Sequence, residues 1–575
     1  MSMTSLMRYL RPVRGRMAAL LVLLLVTTGL QLINPQIVQH FIDTASGHGP
    51  LTSLIWLAGL YLAIAVLNQL FTVLVSYLGN DVAWRATNRL REDLVKHTLR
   101  LDMGFHNHKS PGELIERIDG DVTNMSNFFA MFITEVFGSF VLLAGILVVM
   151  FFHDWLIATV MTVFTLLSIG VMMWIRDLGV ASSQMERQAS ASLFGLIEER
   201  IAGIEDVQAN GNVPYVIYRF HKAMRAVFQT GRRAWMLRVI PWNATVILYT
   251  IAMSLVLLLG VHLYLTGHAT LGTLYLFYQY TQMLNDPIEQ LGNQMQEFQK
   301  AKSGMRRSSE LLAQESSIVD GVEHTLPDGP LDVEFDHVNF SYHADERVLH
   351  DIHFRLGAGE RLGIVGRTGS GKSSISRLLL RLYNVESGEI RVGGVDIKTL
   401  KLEALYRRVG MVTQDVQLFD GTLRDNLTLF DGRVTDSEIL EMTERLGLRS
   451  WIDAMPQGLG THLSAGGASL SAGEAQLFAL TRVFLTKPSL VILDEPSSRL
   501  DPATEATLQR AVDELLAHST GIVIAHRLST LDKVDKIMVL RHGKILEFGD
   551  RVALAADESS HFAGLLRTDR QEELA

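Results

Sequence analysis

Long apolar runs alternate with charged stretches through roughly the first half of the chain, and then the pattern changes. Six apolar segments, near 17–42, 51–80, 130–152, 155–177, 240–266 and 268–292, are each long enough to cross a bilayer, which takes about 20 residues of helix. A run such as "MAALLVLLLVTTGLQLI", starting at Met17, leaves no polar face for water, so these segments do not read as buried helices of a soluble protein. Two long connections separate them, from about Asn80 to Asn127 and from about Arg176 to Arg238. Both have helical spacing and few breakers, which predicts helices that continue well beyond the membrane. Each is interrupted by a turn-like stretch, "NHKSPGE" at 107–113 and "NGNVP" at 210–214. These turns read either as segments that touch a soluble domain or as plain loops. Asn68, Gln69, Asn243 and Gln279 lie inside spans. There they either line a path or make packing hydrogen bonds.

Charge orients the spans. Arg8, Arg11, Arg14 and Arg16 precede the first, and both long connections are rich in Lys and Arg. The other connections, "DTASGHGP", "HD" and "TGHA", are short and contain neither. Positive charge marks the cytosolic side, so the N-terminus, both long connections and the C-terminal part are predicted to be cytosolic. The N-terminal apolar stretch is longer than a signal core and lacks a small-residue cleavage pattern. The predicted organisation is a transmembrane domain over 1–310, a linker over 311–330 containing "GVEHTLPDGP", and a soluble α/β domain over 331–575. At 575 residues the chain is too long for one ordinary domain. It has no cysteine, which excludes disulfides and thiolate chemistry. Its net charge of −9, with no basic block, argues against nucleic acid as a partner.

The soluble half carries three pieces of phosphate chemistry. "RLGIVGRTGSGKSSIS" places a short apolar strand, a glycine-rich loop and a helical pattern in succession. The loop is Gly366, Arg367, Thr368, Gly369, Ser370, Gly371, Lys372 and Ser373, with Ser374 next on the helix. Glycines let the backbone curl so that N–H groups face phosphate oxygens, and the helix adds its positive end. Lys372 then neutralises the terminal phosphates, and Ser373 offers an oxygen to Mg²⁺. In "SLVILDEP", a buried apolar strand ends at Asp494, a position suited to holding Mg²⁺. Glu495 follows, placed to orient or deprotonate an attacking water. In "TGIVIAHRLST" another apolar strand is followed by His526, a γ-phosphate contact or a structural histidine. These pieces predict an ATP- and Mg²⁺-dependent hydrolase.

Together with six preceding spans, they resemble the ATP-binding cassette (ABC) exporters, as a half-transporter. The implied fold is an α-helical six-span transmembrane domain of the ABC exporter type fused to an α/β P-loop nucleotide-binding domain. The resemblance implies that Tyr342 in "FSYH" stacks on adenine, and that Gln414 in "VTQD" senses Mg²⁺ and the γ-phosphate. It implies that "SSRLD", with Ser498 and Asp501, crosses to a second cassette, and that the turns at 107–113 and 210–214 are coupling segments. It also assigns "LSAGE", with Ser471, Ala472, Gly473 and Glu474, to the signature that completes the site of a partner's ATP in a head-to-tail dimer. Here the sequence departs from the family's usual Leu-Ser-Gly-Gly-Gln. Ala472 adds a methyl where backbone meets phosphate, and Glu474 brings a negative charge toward an anion. A complete catalytic side with a variant signature implies a heterodimer with a homologous half-transporter, the alternative being a homodimer that tolerates the variant. The expected function is ATP-driven export of an amphipathic small molecule, drug or lipid by alternating access, in the inner membrane of a bacterium. Import on the same scaffold is the alternative, with a non-transport cassette ATPase behind it.

Overall fold

The computed structural model describes residue 9 and residues 11–573, apart from 176–178, 324, 344–345, 414–415, 465–471, 495–501 and 526–527. The chain divides into two compact units. The first is Met1–Leu99 with Pro111–Gln314, and the second is Arg100–Ser110 with Glu315–Ala575.

The first unit is helical. Among the described residues, five helices are long and apolar enough to cross a membrane: Arg14–Ser46, Leu51–Thr98, Pro111–His153, Trp155–Met172 and Val213–Leu265. The helix of 48 residues from Leu51 spans about 72 Å at 1.5 Å per residue, far more than a hydrocarbon core of about 30 Å. Part of the first charged connection is therefore a helical continuation of the second span, and the helix Val213–Leu265 likewise runs from charged into apolar sequence. Between them lie the helices Val180–Ala202 and Ile204–Ala209. A turn through Asn210 and Gly211, with Gly211 at φ +64°, precedes the Val213 helix.

The sixth expected span differs from its prediction. It is two helices, Leu271–Met283 and Asn285–Leu312, interrupted at Leu284. Pro287 explains the break, because it has no N–H for the carbonyl of Met283 and its ring crowds that carbonyl. Large apolar side chains on the spans face outward, including Trp56, Phe152 and Trp155 beside the short connections. Aromatic residues at that level suit a membrane interface. Inside the unit, the guanidinium of Arg307 forks onto the fully buried Asp121 carboxylate, with Nε to Oδ2 at 2.7 Å. Asp43 accepts from the Gly272 N–H and the Thr270 hydroxyl, both at 2.9 Å, and so caps the Leu271 helix. Of the polar residues inside spans, Asn243 bonds the Val239 carbonyl of its own helix at 3.0 Å.

Among the described residues, the second unit contains three sheets. Strands β1 (Val333–His343), β2 (Glu346–Leu356), β4 (Ser387–Val392) and β5 (Val395–Asp396) form an antiparallel sheet in the order β2-β1-β4-β5. Strands β3 (Arg361–Gly366), β6 (Val409–Val412), β9 (Leu490–Asp494), β10 (Thr520–Ile524), β11 (Lys536–Arg541) and β12 (Lys544–Asp550) form the main sheet, in the order β12-β11-β3-β10-β9-β6. Only the edge strand β12 is antiparallel there. Two short strands, β7 (Gly421–Thr422) and β8 (His462–Leu463), pair separately. The main sheet is covered on both faces, which is why its inner strands are apolar without alternation. Leu490 and Ile492 pack toward the antiparallel sheet, while Val491 and Leu493 pack toward helices that carry Met442, Leu480 and Val512.

Candidate functional site

Parallel strands end at one rim, and register decides what meets there. Ile524 of β10 pairs with Asp494 of β9 and with Ile364 of β3, and Val412 of β6 pairs with Leu493. Gly366, Asp494 and Ala525 are thereby brought together at the C-terminal edge of the sheet, where ligands bind in open α/β folds. Gln414, Glu495, His526, Ser498, Asp501 and Ser471 lie outside the described residues.

The glycine-rich loop joins β3 to the helix Lys372–Leu379, whose Ile375, Leu378 and Leu379 are buried in the core. Gly369 and Gly371 stand at φ +81° and +102°. Ser370 N–H donates to the Arg367 carbonyl at 3.1 Å, and Ser374 N–H to that of Gly371 at 3.1 Å. Gly371 has a second constraint: a Cβ there would lie 2.6 Å from Leu349 Cδ2. Gly371→Ala is expected to destabilise the cassette by about 1–3 kcal/mol. At about 2–4 °C per kcal/mol for a domain of this size, thermal unfolding of the purified protein, with and without nucleotide, checks it.

Lys372 is 6% exposed. Its Nζ donates to the Gly366 carbonyl at 2.7 Å and to that of Arg367 at 3.4 Å. Burial pulls its pKa below the usual lysine range, and the nearby Asp494 carboxylate opposes that shift. A buried ammonium resting on its own loop's carbonyls is in position to exchange them for an anion's oxygens. Ser370 Oγ is also buried, with no hydrogen-bond partner among the described residues. An orphaned hydroxyl, a buried cation and left-handed glycines fit a phosphate group.

Tyr342 stands on β1 with its hydroxyl 3.1 Å from Ser374 Oγ. Arg377 donates to the same hydroxyl at 3.1 Å and lies over the ring at 5.8 Å. Tyr383 meets that ring edge-on at 5.1 Å. Arg377 and Tyr383 were not foreseen from the sequence. Arg377 sits five residues past Lys372, on the face of the P-loop helix that adjoins Tyr342, a neighbour set by tertiary packing. Tyr383 also accepts a hydrogen bond at 2.6 Å from Asn107 in the helix Met103–His108. That helix begins at the cap Asp102, which accepts from Phe105 N–H at 3.0 Å and holds Ser317 through its N–H and hydroxyl at 2.5 and 2.7 Å. The segment that packs within the second unit thus starts earlier than the 107–113 turn. Asp102, three residues before Phe105, is a capping residue type that marks its true start.

The helix expected behind "LSAGE" runs from Ala472 to Thr486. Gly473 and Glu474 lie in its first turn, where the Glu474 carboxylate suits the helix's own dipole. Arg482 anchors the helix, donating to the Asn426 carbonyl at 2.7 Å and the Gln417 carbonyl at 2.9 Å and lying over Phe478. Burial pushes its pKa down to about 10.

The chain matches the ABC transporter transmembrane region over residues 17–288 and the ABC transporter family over residues 349–498. It is 32% identical to the fatty acid ABC transporter ATP-binding/permease protein of Mycobacterium tuberculosis over 478 residues, covering 82% of this chain and 75% of that one. It is 30% identical to the ATP-dependent lipid A-core flippase of Idiomarina loihiensis over 509 residues, covering 87% and 86% of the two chains. A solved structure of a bacterial Atm1-family ABC exporter with ATP bound has the same fold, with TM-score 0.79 and 23% identity over 97% of this chain and 98% of that one. Likeness of this extent, carried through the spans and the P-loop domain alike, makes the chain a member of the ABC transporter family, a half-transporter of the exporter type whose cassette couples ATP hydrolysis to transport.

Proposed function

We propose that this chain binds ATP and Mg²⁺ at its P-loop, hydrolyses the nucleotide in a head-to-tail cassette dimer, and exports an amphipathic small molecule, drug or lipid by alternating access. The observation that carries the reading is Lys372, buried on the Gly366 carbonyl within the field of Asp494. On this reading Lys372 and the loop Gly366–Ser373, with Ser374, hold the phosphates. Ser373, Asp494 and Gln414 would hold Mg²⁺, which when bound would supply positive charge beside the transferred phosphoryl group. Glu495 deprotonates the attacking water, His526 contacts the γ-phosphate, and Tyr342 stacks on adenine. Ser498 and Asp501 reach the second cassette. The arginines before the first span support a cytosolic N-terminus and cassette at a bacterial inner membrane. Two relatives named for fatty acid and lipid A-core support an amphipathic cargo.

The partner is a homologous half-transporter rather than a second copy. Ser471, Ala472, Gly473 and Glu474 face the partner's ATP on this reading. The acidic side chain in the first turn of that helix opposes an arriving anion, which supports a site that turns over slowly. Capture through a tag on this chain from native membranes, followed by intact-mass analysis, is expected to return a second chain of similar size in one-to-one ratio. This chain alone, as a dimer, would overturn the heterodimer. In the captured complex, Ala472→Gly with Glu474→Gln is expected to leave ATP turnover nearly unchanged, because the partner's P-loop side limits that site. A large gain in turnover would show instead that this signature serves a competent site.

A further inference from the structure

The antiparallel sheet carries a side-chain cluster that the nucleotide site does not use. Pairing shifts between Phe335↔Phe354 and Val338↔Ile352, so Asp336 and His337 on β1 stand opposite the single residue His353 on β2. In an unbroken strand, adjacent side chains point to opposite faces, whereas a bulge re-aims them. The result is that two consecutive residues converge with a third. Asp336 Oδ1 lies 3.3 Å from His353 Nδ1 and 4.0 Å from His337 Nε2. One donor atom from each of the three residues falls within 4.8 Å of the others. The two imidazoles stack, with centroids 4.9 Å apart and planes at 19°.

The other nitrogen of His337 is committed elsewhere. His337 Nδ1 is 2.6 Å from Asp351 Oδ1. With Nδ1–H donating to that carboxylate, Nε2 keeps its lone pair, 4.0 Å from Asp336 Oδ1. A carboxylate behind a histidine in this way is the usual support of a metal-ligating imidazole. His337 and Asp351 both hold left-handed backbones, at φ +48° and +52°. Asn339 braces the pair: its Oδ1 accepts from Asp351 N–H at 3.0 Å, and its Nδ2 donates to the His337 carbonyl at 3.3 Å.

We propose that Asp336, His337 and His353 bind a divalent transition-metal ion of the zinc, nickel or copper(II) type, with Asp351 as a positioning residue. Two imidazoles and one carboxylate suit those ions, and a chain without cysteine offers no thiolate alternative. Calcium, which takes 6–8 oxygen ligands, does not suit this set. Tetrahedral donors about 2.0–2.1 Å from an ion are roughly 3.3 Å apart. Asp336 and His353 already have that separation, and His337 closes the remaining gap by a small shift that the exposed Asp351 carboxylate follows. Water completes the coordination, and the ion staples β1 to β2 across the bulge.

The test uses the full chain purified without a polyhistidine tag and titrated with Co²⁺ and Zn²⁺. Cobalt is read by visible absorption, and zinc by metal content after gel filtration. Wild type is expected to hold one tightly bound ion per chain and to unfold at a higher temperature with zinc. His337→Ala and His353→Ala are expected to lose both properties while keeping the wild-type ATPase activity of the captured complex, which also reports that they fold. Asp351→Ala is expected to bind about 10- to 100-fold more weakly. Absence of a tightly bound ion in wild type, or binding that survives in His337→Ala or His353→Ala, would overturn the site and leave a hydrogen-bonded ion-pair network. Wild-type affinity in Asp351→Ala would overturn the positioning role.

Discussion

Glu495→Gln is expected to stop hydrolysis while leaving ATP bound and the cassettes closed on it. β9 delivers Asp494 to the rim in register with Ile524, and Glu495 is the next residue in sequence. Exchanging its carboxylate for an amide keeps size and polarity but removes the proton acceptor. A positioned general base contributes about 10²- to 10⁴-fold. Phosphate release is expected to fall by that factor in the purified complex. Nucleotide trapped after gel filtration should persist or increase, because closure no longer ends in cleavage. Turnover within a few-fold of wild type would mean that another group activates the water.

Lys372→Ala is expected to act one step earlier, on binding. Truncating one partner of a buried charge pair costs roughly 2–5 kcal/mol, which is about 30-fold to a few thousand-fold in Kd. Fluorescent-nucleotide titration checks this, and an affinity close to wild type would remove Lys372 from the phosphate site. Its protonation adds a second readout. Burial lowers the pKa of Lys372 in the folded protein below its unfolded value. Between those two values the unfolded chain holds more protons than the folded one, so this group makes stability rise with pH there. Phosphates reverse the shift by favouring the charged form. ATP binding at alkaline pH is therefore expected to take up protons and to weaken as pH rises. Calorimetry in buffers of different ionisation enthalpy measures the uptake, and its absence in Lys372→Ala assigns it.

The legible parts of this protein were those written in contiguous residues. A span is a property of one apolar segment, because the bilayer tests each segment's own transfer energy and length. Five of the six expected spans are single helices long and apolar enough to cross. The sixth departs at a proline whose effect on a neighbouring carbonyl is itself local. The glycine-rich loop was legible for the same reason: strand, glycines, lysine and helix follow one another, and backbone curvature there needs little from the rest of the fold. The helix start behind "LSAGE" was legible from its cap-like residues.

What the sequence did not contain is which distant residues become neighbours. The pairing of Asp494 with Ile524, the burial of Lys372 and the Asn107–Tyr383 hydrogen bond join positions far apart along the chain. Register and crossover are chosen by the burial of whole sheet faces, not by any one segment's preference. The cluster of Asp336, His337, His353 and Asp351 belongs to the same class. As a sequence it reads as four scattered polar residues on two strands. A one-residue bulge, required by how both strands bury their apolar face, turns three of them toward a common point and sets the fourth behind one of them. Sequence alone determined the long apolar helices and the strand, loop and helix around Lys372, because local chemistry suffices for each. Tertiary structure decided the composition of the rim and of the histidine cluster, because both depend on nonlocal packing that no window of residues encodes.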